Sequence, residues 1–298
     1  MQIVDAHQHF WDLQRNHVPW LSDPEPIAFR YGDYSMLRRN YLPPDYRKDA
    51  NGYEVLGTVY IETEFDPTDP LGETAWVAEI KDRHGIPNVV VAQAWLDRGD
   101  RDEVLAAHGL NPLVRGIRHK PAAAAQPGLV ERGASGSMDD PEWRHGFGLL
   151  AAQGLSFDLQ TPWWHLDAAA DLAADYPDTQ IILNHAGLPA DRSAEGLAAW
   201  RTALDALSER PNVALKISGI GIANEPWTVE TNRRVVLEAI EAFSPERVMF
   251  GSNFPVDSLV ASFGTIFDGF DQITRVFTDS ERAAMFRDNA CRIYRMEV

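Results

Sequence analysis

The chain has 298 residues, 45% hydrophobic and 24% charged, which fits a globular protein long enough for one large domain or two ordinary ones. A formal net charge of -17 repels nucleic-acid phosphates and acidic membrane surfaces, and no apolar run approaches the roughly 20 residues of a membrane span, so neither partner is expected. The one cysteine, Cys291, excludes an internal disulfide framework or thiolate metal cluster; with no basic n-region and apolar core opening the chain, the expected compartment is the cytoplasm.

Residues 3–7 read as a short apolar strand, and Asp5-Ala6-His7-Gln8-His9-Phe10-Trp11 ends it in two histidines. Residues two apart project to one side of a strand, so His7 and His9 should face together, with Ala6 and Gln8 turned away. Two imidazoles at a strand end make half a site for zinc, iron or cobalt, the rest coming from elsewhere in the fold. The plainer alternative is a pair of satisfied histidines beside an aromatic. Residues 11–53 are rich in aromatics and prolines, including Trp20, Phe29, Tyr31, Tyr34, Tyr41 and Tyr46. So long an excursion after candidate ligands reads as a lid or pocket wall, or equally as a satellite core.

Seven more apolar runs follow, at 55–62, 88–96, 113–118, 155–160, 180–185, 212–218 and 247–253. Between them lie helical patterns. Residues 74–84 carry Trp76, Val77 and Ile80 at helical spacing and stop at Gly85. Further helices are expected at 101–108, at 140–152 behind Asp140-Pro141-Glu142, and at 166–174, 195–208 and 231–243. Residues 122–138 are small, glycine-bearing and loop-like. The capping box Thr278-Asp279-Ser280-Glu281 opens a closing helix with Ala283, Met285, Phe286 and Ala290.

Continuous apolar strands are buried on both faces, as a parallel sheet under helices requires, and eight such units point to a (β/α)8 TIM barrel spanning 1–298 as a single domain. An open doubly wound sheet is the rival, but no glycine-rich phosphate fingerprint follows any strand. No linker-like break in composition suggests two domains. Barrel chemistry collects where strands end. Those ends offer His7 and His9, Glu62 and Glu64, Arg118, His119 and Lys120, Asp158 and Gln160, Asn184 and His185, Lys216 and Ser218, and Ser252 and Asn253. Plain roles exist for each: Glu62 and Glu64 solvated, Lys216 paired with a buried carboxylate, Asp158 accepting backbone N–H groups, Arg118 paired with Asp158. So many polar ends together are hard to ascribe to packing.

Asp-x-His-x-His-x-x-Trp at the start, Val114-Arg-Gly-Ile-Arg-His119, Ile182-Leu-Asn-His-Ala-Gly187, Leu215-Lys-Ile-Ser-Gly219 and Met249-Phe-Gly-Ser-Asn-Phe-Pro255 together resemble the amidohydrolase superfamily. More narrowly they are similar to the amidohydrolase-related branch that contains sugar-acid lactonases and the pyrone dicarboxylate lactonase. The similarity runs from Asp5 to Asn289-Ala290-Cys291-Arg292-Ile293-Tyr294. It implies a (β/α)8 barrel and hydrolysis at a carbonyl, with His7, His9 and His185 around one divalent metal, zinc by preference, or around the substrate with no metal at all. Two departures stand out. No histidine lies in 155–160, as is common in the lactonase branch, and Asn253 occupies the place of the aspartate that deprotonates the attacking water. An amide cannot accept that proton at neutral pH. The base is then His185, oriented by a hydrogen bond at its other nitrogen, or Asp257, four residues on, if it is not simply a loop or capping residue.

The activity so implied is opening of a small, acidic lactone, sugar-derived or from ring cleavage. Arg118 would grip a substrate carboxylate or the developing oxyanion through its planar fork, beside His119 and Lys120. Trp163, Trp164 and His165, with the first-loop aromatics, would wall out water. A small-molecule substrate is the expected partner, with a homo-oligomer allowed. Two rival functions are a metal-dependent decarboxylase of an aromatic acid, which the resemblance would have keep the missing aspartate, and a barrel that binds without turnover.

Overall fold

Alternation along the strands sorts side chains into an inner and an outer layer. In the computed structural model, which describes residues 2–298, eight parallel strands form one sheet in the order β1 to β8 among those residues. They are β1 Gln2–Gln8, β2 Glu54–Ile61, β3 Val89–Gln93, β4 Val114–Arg118, β5 Ser156–Leu159, β6 Ile181–Leu183, β7 Val213–Ile217 and β8 Val248–Phe250. In β7, Val213, Leu215 and Ile217 join the outer core under the helices, while Ala214 belongs to an inner cluster with Val4, Ala6, Val59, Ile61, Val91, Ile182 and Met249. Both faces are buried, which is why the strands read as unbroken apolar runs. The C-terminal segment stoppers the inner cluster with Ala290, Ile293, Tyr294 and Met296.

One ion pair sits inside the cylinder. Lys216 Nζ lies 2.6 Å from Asp158 Oδ2, and neither side chain is exposed to solvent. Tyr294 Oη donates to the same carboxylate at 2.9 Å, and Asn184 Nδ2 does so at 2.9 Å. Asp158 is therefore satisfied by side chains rather than backbone N–H groups. Its cation is Lys216 and not Arg118, because Arg118 reaches the other way, to Glu62.

The cylinder closes between β1 and the residues just past β8. Gln8 and Phe254 form a parallel bridge, His9 N–H donates to Phe254 O at 2.8 Å, and Asn253 N–H donates to His7 O at 2.8 Å. The Asp5 carboxylate accepts Ser252 N–H at 2.8 Å, Ser252 Oγ–H at 2.6 Å and Tyr46 Oη–H at 2.9 Å. A Cβ at Gly251 would lie 2.6 Å from His7 Cβ, so glycine is needed where the strands come this close. Pairing of β1 with β2 slips by one residue between Asp5 and Gln8, a bulge that re-aims the strand. Ala6 and His7 consequently both face inward, and the expected alternation that turned Ala6 away does not hold.

Every expected strand is present; at the ends of β2, β5, β6, β7 and β8 the polar residues leave the ladder, whereas β1 runs one residue further at each end and β4 keeps Arg118. The helix at 140–152 ends early, at Pro141–Gly148, followed by a 3-10 turn at Ala151–Gln153. A helix at Phe263–Thr274 was not anticipated. Gly264 and Gly269 lower its apparent propensity, yet a Cβ at Gly269 would run into the Trp227 ring, so packing overrides it. Residues 11–53 wall the site, with Trp11, Trp20 and Phe29 lining the cavity described below, while Tyr34, Leu37, Tyr41 and Tyr46 are buried as part of the outer core itself rather than as a satellite of it. No helix among the described residues is long and apolar enough to cross a membrane.

Replacing Lys216 with methionine would strand the Asp158 charge. Lys216→Met should cost about 3–5 kcal/mol in urea unfolding, and adding Asp158→Asn should recover most of the loss. A cost below about 1 kcal/mol for the single variant would show that the pair is not ionised as described.

Candidate active site

A cavity of about 310 Å³ opens at the C-terminal ends of the strands, with His9, Glu62, Arg118, His185 and Asn253 among its lining residues. His7 lies beside them. Its ring centroid is 5.0 Å from that of His9 and 4.7 Å from that of His185, so imidazoles from β1 and from the turn after β6 meet at one mouth.

The backbone orients each ring. His9 Nδ1 faces Ile61 O at 2.8 Å; a carbonyl can only accept, so Nδ1 carries the hydrogen and Nε2 keeps its lone pair. His185 Nδ1 faces Ser218 O at 3.1 Å and Ser218 Oγ at 2.9 Å, which assigns its Nε2 the lone pair as well. Neither nitrogen of buried His7 has a partner. Asn253 Nδ2 donates to Asp257 Oδ1 at 2.6 Å, and this turns Asn253 Oδ1 toward His9 Nε2 at 3.4 Å. Two acceptors thus face each other beside an imidazole without partners. Burial holds His7 and His185 well below the ordinary imidazole range, helped chiefly by Lys216 for His7 and by Arg30 for His185. Burial, then Arg118, pulls His9 down to about 3. All three rings are neutral at pH 7 and offer lone pairs.

Lone pairs without donors are what a divalent cation satisfies, and imidazole nitrogen with an amide oxygen suits a zinc-like ion. The donor set therefore fits a metal in chemistry. The rings are not drawn into a closed cage: among the described residues no three His, Cys, Asp or Glu side chains are spaced to enclose an ion. Glu64 (φ 56°), His185 (φ 55°), Leu188 (φ 57°) and Asn253 (φ 56°) all hold left-handed backbone and all line the cavity. Such conformations cost on the order of 1–3 kcal/mol each and persist only where surroundings impose them.

Two ion pairs wall one side. Arg118 Nε binds Glu62 Oε1, its Nη2 donates to Glu62 O at 2.7 Å, and its Nη1 donates to Gln160 Oε1 at 3.2 Å; Lys120 Nζ lies 2.9 Å from Glu64. Glu62 is thus buried and paired rather than solvated. Between the two acids, Thr63 is fixed from behind by Glu73, which the sequence did not single out. Glu73 Oε1 accepts Thr63 N–H at 2.8 Å, Thr63 Oγ–H at 2.6 Å and Tyr60 Oη–H at 2.8 Å, while Oε2 is buried without a partner.

Three expected substrate contacts lie elsewhere. His119 Nδ1 accepts Leu96 N–H at 3.1 Å, with its ring stacked on Trp143, because alternation after Arg118 turns it away from the axis. His165 Nε2 accepts Ala124 N–H at 2.9 Å and Trp163 packs against the outer core, both in a 3-10 turn that supports the loop before 138. None of the three lines the cavity. Asp257 is buried behind Asn253 and also outside the lining; it accepts Tyr31 Oη–H at 3.1 Å, with Arg30 Nη2 at 3.7 Å, and burial pushes it up to about 6. Arg30 lines the cavity from the first loop, where a lone arginine in an irregular segment carried no periodic signal.

Burial and the nearby Glu62 push Glu73 up from 4.5 to about 7. A carboxyl with a raised folded-state pKa stabilises fully below its unfolded value and loses that contribution as pH climbs through the folded one. Glu73→Gln should therefore flatten the fall in melting temperature between about pH 4.5 and 7, leaving the variant ahead of the wild type at pH 8. Parallel pH profiles for the two proteins would show that Glu73 does not titrate in this window.

The amidohydrolase family model matches residues 4–296. The chain is 43% identical over 295 residues to the uncharacterised protein y4mH of Sinorhizobium fredii, covering 99% of this chain and 98% of that one. It is 27% identical over 299 residues to the L-fucono-1,5-lactonase of Burkholderia ambifaria, covering 99% and 96%. An amidohydrolase of Burkholderia multivorans, crystallised with bound HEPES, superposes over 100% of both chains with a TM-score of 0.82 and 25% identity; a second crystal form of it, with bound zinc, gives 0.81 and 24%. A 2,6-dihydroxybenzoate decarboxylase from Rhizobium, at 15% identity and a TM-score of 0.63, shares the fold alone. With its eight-stranded barrel and its histidines at one mouth, the chain belongs to the amidohydrolase family.

Proposed function

We propose that this protein hydrolyses a lactone of a sugar acid. The observation that carries the proposal is the convergence of His7, His9, His185 and Asn253 Oδ1, all presenting lone pairs, beside a wall of paired charges and an aromatic surface. The wall cations Arg118 and Lys120 already have carboxylate partners, so they suit the hydroxyls of a neutral polyhydroxylated ring better than the acidic lactone expected from the sequence. Trp20 and Phe29, stacked with centroids 5.5 Å apart and both lining the cavity, offer an apolar face to such a ring. The lactonase relatives of similar length support the same reaction class.

His7 and His9, with the Asn253 oxygen, would hold a divalent ion. When bound, that ion supplies Lewis-acid polarisation of the carbonyl and lowers the pKa of water. The remaining steps belong to the chain. His185, with Nδ1 engaged by Ser218, takes the proton of the attacking water at Nε2 as the new C–O bond forms. The ring C–O bond then breaks, its oxygen takes that proton back, and the hydroxy acid so formed gives its carboxyl proton to solvent and leaves as the carboxylate. Asn253, unable to take a proton, serves to present its oxygen, and Asp257 keeps the amide from flipping.

Acid release from a panel of C5 and C6 aldonolactones that includes L-fucono-1,5-lactone, corrected for spontaneous hydrolysis, tests the proposal. At least one lactone should turn over, and His185→Gln should lower kcat by about 10²–10⁴-fold. Tight binding without turnover, or carbon dioxide release from a hydroxybenzoate in place of acid release from a lactone, would sink it.

A further inference from the structure

The cations at the mouth are not equally free. Arg118 has its Nε, Nη1 and Nη2 occupied by Glu62 and Gln160, and Lys120 is held by Glu64. Arg30 differs. Among the described residues its one hydrogen bond runs from Nη1 to Gly219 O at 2.9 Å; Asp257 stands off at 3.7 Å and the guanidinium rests over the Tyr31 ring at 4.6 Å. Its side chain lines the cavity and is 29% exposed, so N–H groups beyond the one on Gly219 O are left for a ligand there.

The backbone is built to bring this guanidinium beside His185. Gly219 sits in the left-handed region at φ +57°, and a Cβ there would lie 2.5 Å from His185 Nδ1 and 2.6 Å from Arg30 Nη2. Any side chain at 219 would displace one of the two. The glycine therefore admits a residue of β6's turn and a residue of the first loop to the same spot.

We infer that Arg30, and not Arg118, is the arginine that receives the substrate's carbonyl oxygen and then the carboxylate formed from it. The substrate half of this inference rests on the lactonase proposal; the carboxylate half does not. As water adds to the carbonyl carbon, the carbonyl oxygen gains negative charge and draws on the spare N–H groups of Arg30. When the ring C–O bond breaks and the new carboxyl group gives its proton to solvent, that oxygen becomes one of two equivalent carboxylate oxygens, which match the guanidinium fork. Arg30 thus binds product more tightly than substrate and makes the first loop part of the specificity apparatus. Arg118 becomes a positioning residue that holds Glu62 and Gln160.

Binding of gluconate, L-fuconate and citrate to the full chain, measured calorimetrically for wild type, Arg30→Met and Arg30→Lys, gives the direct test. Wild type should bind at least one of these anions. Arg30→Met should weaken that binding at least about tenfold, and Arg30→Lys should restore only part, because the fork is lost. With the best lactone of the panel, Arg30→Met should lower kcat about 10²-fold while KM moves less than about threefold, and millimolar guanidinium should rescue Arg30→Gly in part. Should Arg30→Met fail to fold, Arg30→Lys carries the comparison. Unchanged anion affinity in Arg30→Met, a rise in KM alone, or no anion binding by the wild type overturns the assignment. Anion binding that depends on Arg30 in a protein that opens no lactone would leave the assignment standing and remove the lactonase proposal.

Discussion

The barrel is closed by hydrogen bonds that lie inside its own candidate active site. β8 ends at Phe250, and the seam to β1 is made by the residues beyond it: Ser252 on the Asp5 carboxylate, Asn253 N–H on His7 O, and His9 N–H on Phe254 O. Apart from Asp5, each of these residues is a candidate ligand or its immediate neighbour. Closing the cylinder and assembling the imidazoles are therefore one event. Gly251 leaves the room this seam needs, since a Cβ there would lie 2.6 Å from His7 Cβ, and on its other edge the same stretch of β1 slips by one residue against β2.

Electrostatics inside the cylinder are arranged in tiers. Asp158, Lys216 and Tyr294 form one compensated group within the strands, and Glu62 with Arg118 forms another at the cavity. Buried ions of this kind are tolerable only when their remaining valences are filled, and here Asn184 and Gln160 fill them. Burial first, and then these cations, keep the histidines neutral. A cluster of neutral imidazoles with outward lone pairs is poor at holding a proton and good at accepting one briefly or binding a cation.

The first loop contributes more to the site than its irregularity suggests. Its inner aromatics anchor it in the outer core, while Trp20, Phe29 and Arg30 reach the cavity. Tyr31 and Arg30 also meet Asp257, so the loop is tied to the turn after β8 through the residue that orients Asn253. Loop and barrel thus share one polar junction, and a change at Asp257 would be felt at both.

What the sequence determined by itself was most of what has a period or a fixed spacing, the helix at Phe263–Thr274 excepted. Eight apolar runs with polar ends implied the barrel, because burial on both faces leaves a continuous hydrophobic trace. His7, His9 and His185 were legible from their places at strand ends, as were Glu62 and Arg118, though not as partners of each other. Only the tertiary structure decided the pairings and directions. It gave Lys216 rather than Arg118 to Asp158, turned His119 outward, set Asp257 behind Asn253 instead of in the cavity, and brought Arg30 and Glu73 into play. The physical reason is that a contact between residues 30 and 219, or 62 and 118, depends on how loops and strand twist bring distant chain segments together, and no local pattern of side chains records that distance.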